Sequence, residues 1–157
     1  MITPAARRPQ SLLFACTTNT VRSPMAEGIA KHLFGREIYI ASAGVRPIEP
    51  DHFAIAAMDE IGIDISKHRP HTFDDLEDDH FDIIVTLSPE AHHRALEYTR
   101  TSAVEVIYWP TIDATAVQGS REQMMEAYRN VRDGLQRRIK EYLDWRPMMA
   151  VRSGKEQ

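Results

Sequence analysis

One cysteine stands in the 157 residues. A lone thiol has no partner within its own chain, which excludes a disulfide-stapled secreted scaffold and favours a reducing, cytoplasmic compartment. It also leaves no cysteine cluster for zinc. Long apolar runs are missing as well. No stretch approaches the ~20 residues of a membrane span. The run Leu12-Leu13-Phe14-Ala15 before Cys16 follows Arg7 and Arg8, but it is shorter than the about 7 to 15 apolar residues of a signal that would lipidate a cysteine. Charge of one sign is scarce too. The net charge is −4 and the basic residues form no stripe, so neither nucleic acid nor a membrane surface is an expected partner. The dense acidic run Asp74-Asp75-Leu76-Glu77-Asp78-Asp79 lacks the glycine and the distant glutamate of a calcium loop. It reads as a solvated edge with Phe73 and Leu76 turned inward. His92 and His93 are adjacent and would point to different helix faces. No metal and no cofactor is expected.

What is present is alternation. Short runs rich in Ile, Val and Phe alternate with longer segments of helical spacing, the pattern of a parallel sheet covered by helices. The expected fold is α/β, a single doubly wound domain with a four-stranded parallel sheet flanked by helices and a phosphate-binding loop after the first strand. Strands are predicted at Ser11 to Cys16, Glu37 to Ser42, Phe81 to Leu87 and Ala103 to Tyr108. Ser23 with Pro24 reads as the cap and first residue of a helix on which Met25, Ile29 and Leu33 repeat. Further helices are predicted from Asp51 to Ile61, from Pro89 to about Arg100, and from Ser120 to about Leu143. The last carries an apolar stripe of Met124, Tyr128, Val131, Leu135, Ile139 and Tyr142. Residues 1–10 read as a flexible arm, 11–145 as the domain and 146–157 as a tail.

In a doubly wound sheet, ligands bind beyond the carboxyl ends of the strands, where a turn leads into a helix. Cys16 falls there. The segment Cys16-Thr17-Thr18-Asn19-Thr20-Val21-Arg22-Ser23 would empty into a helix N-terminus, whose free N–H groups and dipole favour an anion. Such a field also favours a thiolate over a thiol. Arg22, six residues after Cys16, brings a planar fork suited to two phosphate oxygens. The phosphate-binding residues expected are therefore Thr17, Thr18, Asn19, Thr20, Val21, Arg22 and Ser23, around a nucleophilic Cys16.

The stretch from Leu12 through Arg22-Ser23-Pro24-Met25-Ala26-Glu27 resembles the low-molecular-weight protein tyrosine phosphatases. Ala41-Ser42-Ala43-Gly44-Val45 and Gly62-Ile63-Asp64-Ile65-Ser66-Lys67-His68 extend the resemblance, which spans about residues 11 to 144. It implies a phosphatase that hydrolyses phosphomonoesters, protein phosphotyrosine among them, through a phosphocysteine on Cys16. Arg22 would clamp the phosphoryl oxygens, Ser23 would hydrogen-bond the sulfur, and Asn19, Ser42 and His68 would brace the loop. Asp113, in the loop Trp109-Pro110-Thr111-Ile112-Asp113, is the general acid and base that the resemblance implies. Inorganic phosphate and other oxyanions would be product or inhibitors, and the molecule a monomer or weak homodimer.

Two positions depart from the family's pattern. Ala114 and Thr115 follow Asp113 where the family has proline and tyrosine, which removes the aromatic wall that grips a phosphotyrosine ring. Ser88 stands where the family shows an acidic residue. An alternative reading is an arsenate reductase, since the same loop binds arsenate; with one cysteine, the resolving sulfur would come from an external thiol. A further alternative is a phosphate-binding module without turnover.

Overall fold

The computed structural model describes residues 8–78 and 80–145. Four strands, β1 (Ser11–Cys16), β2 (Tyr39–Gly44), β3 (Ile83–Thr86) and β4 (Glu105–Tyr108), alternate with α1 (Arg22–Phe34), α2 (His52–Asp59), α3 (Pro89–Ala95) and α4 (Arg121–Tyr142). All strand pairs are parallel and the order is β2-β1-β3-β4. The chain thus winds outward in one direction from β1 to β2 and in the other through β3 to β4. The reversal falls between β1 and β3, where the carboxyl ends of a doubly wound sheet open a crevice.

Period-two alternation divides the central strand between two cores. Leu12, Phe14 and Cys16 face a large core with Met25, Ile29, Met58, Trp109, Leu135 and Ile139 of the α1, α2 and α4 side. Leu13 and Ala15 face a smaller one with Ala43, Phe73, Ile84, Ala91 and Ala95 of the α3 side. A strand buried on both faces reads as a continuous apolar run, as Leu12 to Cys16 does.

Several element boundaries differ from the sequence expectation. β2 begins two residues later and runs through Ser42 to Gly44, because these small residues pair in register with Phe14, Ala15 and Cys16. α1 begins at Arg22, with Val21 at its cap position and no side-chain cap; Ser23 lies inside the first turn. The third helix is α-helical only to Ala95 and tightens into a 3-10 turn over Leu96–Arg100. On α4 the buried methionine is Met125 rather than Met124, and Arg132 joins the buried face. Arg8 and Gln10 are tied to the body rather than loose. Arg8 lies over the Phe34 ring, pairs with Glu37 and donates to Leu143 O at 3.2 Å, while Gln10 N donates to Asp82 Oδ2 at 2.7 Å. Residues 1–7 of the expected arm, the 146–157 tail and Asp79 of the acidic run lie outside the described residues. No helix of the described residues is long and apolar enough to cross a membrane.

Candidate active site

β1 delivers Cys16 to the carboxyl edge of the sheet, 1% exposed, and the chain turns at once into the loop that feeds α1. The turn depends on Asn19, which holds a left-handed φ of 57°. Asn tolerates that conformation better than most residues because its short polar side chain bonds locally. Fully buried, it uses both halves of its amide. Nδ2 donates to Ser23 Oγ at 2.8 Å and to Ser42 Oγ at 3.0 Å, and Oδ1 accepts from the backbone N of His71 at 3.1 Å. His68 Nε2 lies 3.1 Å from Asn19 O and 3.0 Å from its Oδ1.

Those bonds direct protons toward the sulfur. Ser23 Oγ accepts from Asn19, so its own hydrogen is free to point at Cys16 Sγ, 3.0 Å away. The backbone N–H groups of Asn19 and Ser23 reach Sγ at 3.3 and 3.4 Å. Three donors therefore converge on one atom. Ser23 serves here as a sulfur ligand instead of a helix cap.

A second tier holds the first. Ser42 Oγ donates to Glu27 Oε1 at 2.5 Å, and Glu27 is paired with Lys31 at 2.7 Å. His68 Nδ1 lies 3.7 Å from the same Glu27 oxygen. Burial pulls the His68 pKa below its ordinary value, opposed by the Glu27 charge and the bond to Asn19. Glu27 was legible only as part of a motif; its role arises from α1, which puts it one turn beyond Ser23 and facing β2. Gly44 is the other residue whose purpose sequence reasoning missed. A Cβ there would stand 2.8 Å from Asn19 Cβ and 2.9 Å from Asn19 N, so only glycine lets β2 lie this close to the loop.

The other side of the crevice comes from the strand ends that follow. Ser88 caps α3 by accepting from Ala91 N at 3.3 Å, and it receives the Thr17 hydroxyl at 2.9 Å. A hydroxyl at position 88 thus joins the loop to the third helix. Thr18 and Thr20 share a hydrogen bond at 2.7 Å, and the Val21 side chain is buried in the larger core. Arg22 Nη1 donates to Thr111 O at 3.0 Å, fastening α1 to the loop after β4. That loop also carries Asp113, exposed, whose Oδ1 accepts from Thr115 N at 3.0 Å and from Thr115 Oγ1 at 2.6 Å. The turn over Ala114–Ala116 buries Ala114 and exposes Thr115, so no aromatic ring follows the carboxylate.

The assembly brings Cys16, Asn19, Ser23, Ser42 and His68 into one bonded network and sets Arg22 against the loop of Asp113. Chemically it offers a buried thiol at the floor of a turn that leads into a helix N-terminus. Among the described residues, no group of three or more His, Cys, Asp or Glu side chains gathers as a metal site.

A model of the family described as low molecular weight phosphotyrosine protein phosphatase matches residues 11–153. An arsenate reductase of Halalkalibacterium halodurans is 35% identical over 133 residues, covering 85% of this chain and 94% of that one. The glutaredoxin arsenate reductase of Synechocystis is 29% identical over 130 residues, covering 83% and 93%. Among solved structures, an arsenate reductase in its phosphate-binding state matches with a TM-score of 0.67 at 27% identity, over 86% of this chain and 97% of that one. A tyrosine phosphatase of Erwinia amylovora gives a TM-score of 0.70 at 18% identity, over 87% and 93%, a likeness of fold.

Proposed function

Because the chain belongs to the low molecular weight phosphotyrosine protein phosphatase family, we propose that it works on a tetrahedral oxyanion through Cys16, and that the oxyanion is arsenate, reduced with an external thiol. The observation that carries the nucleophile is the convergence of Ser23 Oγ, Asn19 N and Ser23 N on Cys16 Sγ. Relatives named arsenate reductases support the substrate, as does the turn after Asp113, where Ala114 and Thr115 build no wall for a phenyl ring.

The sulfur attacks arsenic, one arsenate oxygen leaves as water, and a Cys16 Sγ–As(V) bond forms. Cys16 is the only cysteine of the chain, so the next sulfur comes from outside. A thiolate attacks Sγ, the S–As bonding pair passes to arsenic, and arsenite departs with arsenic reduced by two electrons. Cys16 is left in a mixed disulfide with the thiol, and a second thiol releases it as the external disulfide. Arsenic acid and two thiols thus give arsenous acid, one disulfide and one water. Arg22 and the loop N–H groups hold the oxyanion throughout.

Phosphomonoester hydrolysis is the second reading, favoured by Asp113. Its loop is fastened to Arg22 through Thr111, and on this reading its carboxyl group would protonate a leaving oxygen and later deprotonate water. The test runs arsenate loss with glutathione beside nitrophenol release from p-nitrophenyl phosphate, for the wild type, Cys16→Ser and Asp113→Asn. Thiol-dependent arsenate loss that vanishes in Cys16→Ser, with slow or no phosphatase turnover, is the expected result. Phosphatase turnover without arsenate loss, slowed about 10²-fold or more in Asp113→Asn, would install the second reading. Oxyanion binding with neither activity would overturn both and leave a binding module.

A further inference from the structure

A second arginine, Arg46, is tied by its backbone to the nucleophile's loop. The backbone N–H groups of Val45 and Arg46 both donate to Thr17 O at 2.8 Å, which pins Arg46 beside the residue that follows Cys16. The Arg46 side chain, 63% exposed, reaches across to Glu90 in the first turn of α3 and bonds it twice, Nη1 to Oε2 at 2.5 Å and Nη2 to Oε1 at 3.0 Å. Glu90 is held by the same surroundings. Its carboxyl lies below the ordinary range, chiefly through Arg46 and also through Thr17 and the Arg22 charge.

Two features of this pair point away from a purely structural role. Both side chains face solvent, Glu90 at 49%, and an ion pair in water contributes little to stability, so exchanging one partner is cheap. A carboxylate near the mouth of an anion site is also unfavourable for the substrate unless something neutralises it. Arg46 does so while keeping its fork extended and preorganised for a carboxylate of any origin.

We propose that Arg46 is the docking cation for a carboxylate carried by the incoming small thiol, which takes the guanidinium over from Glu90. The inference rests on the proposed thiol-dependent reaction and names the class of its second reactant: a low-molecular-weight thiol bearing carboxylates, of which glutathione is an example. Docking at Arg46 would bring the thiol's sulfur over the loop next to Cys16 and align it for attack on Sγ.

The test reads Cys16 directly, since no other thiol exists in the chain. The second-order rate of its modification is measured with dithiobis(nitrobenzoate), which bears carboxylates, and with uncharged dithiodipyridine, and the readout is the ratio of the two. The variants are Glu90→Gln, Arg46→Gln and Arg46→Gln/Glu90→Gln, the last keeping the net charge of the pair. A ratio about tenfold lower in the double variant, and about threefold higher in Glu90→Gln, is the expected outcome for a charge-assisted contact. In the arsenate assay the same double variant should raise KM for glutathione but not for mercaptoethanol. An unchanged ratio in the double variant, or a fall confined to Arg46→Gln, would overturn the proposal, since the latter is repulsion by an unmasked Glu90. If no thiol supports arsenate loss, the proposed function fails, while the ratio still decides whether Arg46 recognises a carboxylate.

Discussion

A methyl group on Gly44 would stand 2.8 Å from Asn19 Cβ and 3.1 Å from Thr17 O, and neither neighbour is the free end of a flexible side chain. Gly44→Ala must therefore push the loop or β2, at about 1–3 kcal/mol for an overpacked interior. The displaced atom is the Asn19 backbone, which donates to Cys16 Sγ, so activity should fall tenfold or more along with stability. A urea midpoint measured beside turnover checks this; a stable variant of unchanged activity would show that the loop yields freely. The same contact explains what the sequence hid. Cys16, Arg22 and Ser23 were legible because they lie within eight residues of one another on a strand-turn-helix. Gly44 and Glu27 acquire their roles from partners on other elements, reached only after β1 and β2 pair. For Ser23 the local pattern reads as a helix cap, its commonest use, which the fold does not show, whereas the bond to sulfur implied by the resemblance is present.

Helix ends show how a single side chain joins elements. Asp51 accepts from Phe53 N at 2.9 Å and Ala54 N at 3.1 Å, capping α2, and its other oxygen accepts from Tyr128 of α4 at 2.8 Å. Tyr128 is 4% exposed, and burial with the Asp51 bond raises the pKa of its phenol, keeping it protonated as a donor. Asp51→Ala removes a cap, at about 1 kcal/mol, and strands a buried hydroxyl, at about 1–3 kcal/mol. A loss near 2–3 kcal/mol is expected in denaturant unfolding. Adding Tyr128→Phe should return part of it, because the hydroxyl then has nothing to leave unsatisfied; a further loss of more than about 1 kcal/mol would contradict that account. At this scale the existence and order of elements followed from apolar alternation, whereas ends did not. The strand expected to end at Ser42 runs on to Gly44, whose lack of a side chain lets it pack under the loop. On α4 the stripe drifts with the 3.6-residue period, so Met125 rather than Met124 meets the core.

Across the whole molecule, α2 and α4 on the larger core are joined by a carboxylate between two arginines. Glu60, just past α2, accepts from Arg129 Nε at 3.0 Å and Nη2 at 2.9 Å and from Arg132 Nη1 at 2.7 Å. Arg132 is buried and also donates to Ala57 O at 2.7 Å. These bonds bring the Glu60 pKa down from 4.5 to about 2. The sign follows from proton counting: between those values the unfolded chain binds a proton that the folded chain does not, so stability rises with pH there. The contribution of Glu60 is complete above pH 4.5 and is lost as pH falls toward about 2. Because the carboxylate is partly exposed, the effect is screened and modest at high salt. Glu60→Gln should unfold at lower urea than the wild type at neutral pH, with the gap closing as the pH drops through that window. The measurement is a pair of urea titrations at neutral pH and near pH 3. A gap that stays constant with pH would mean that Glu60 joins α2 to α4 by packing and hydrogen bonding rather than by its charge.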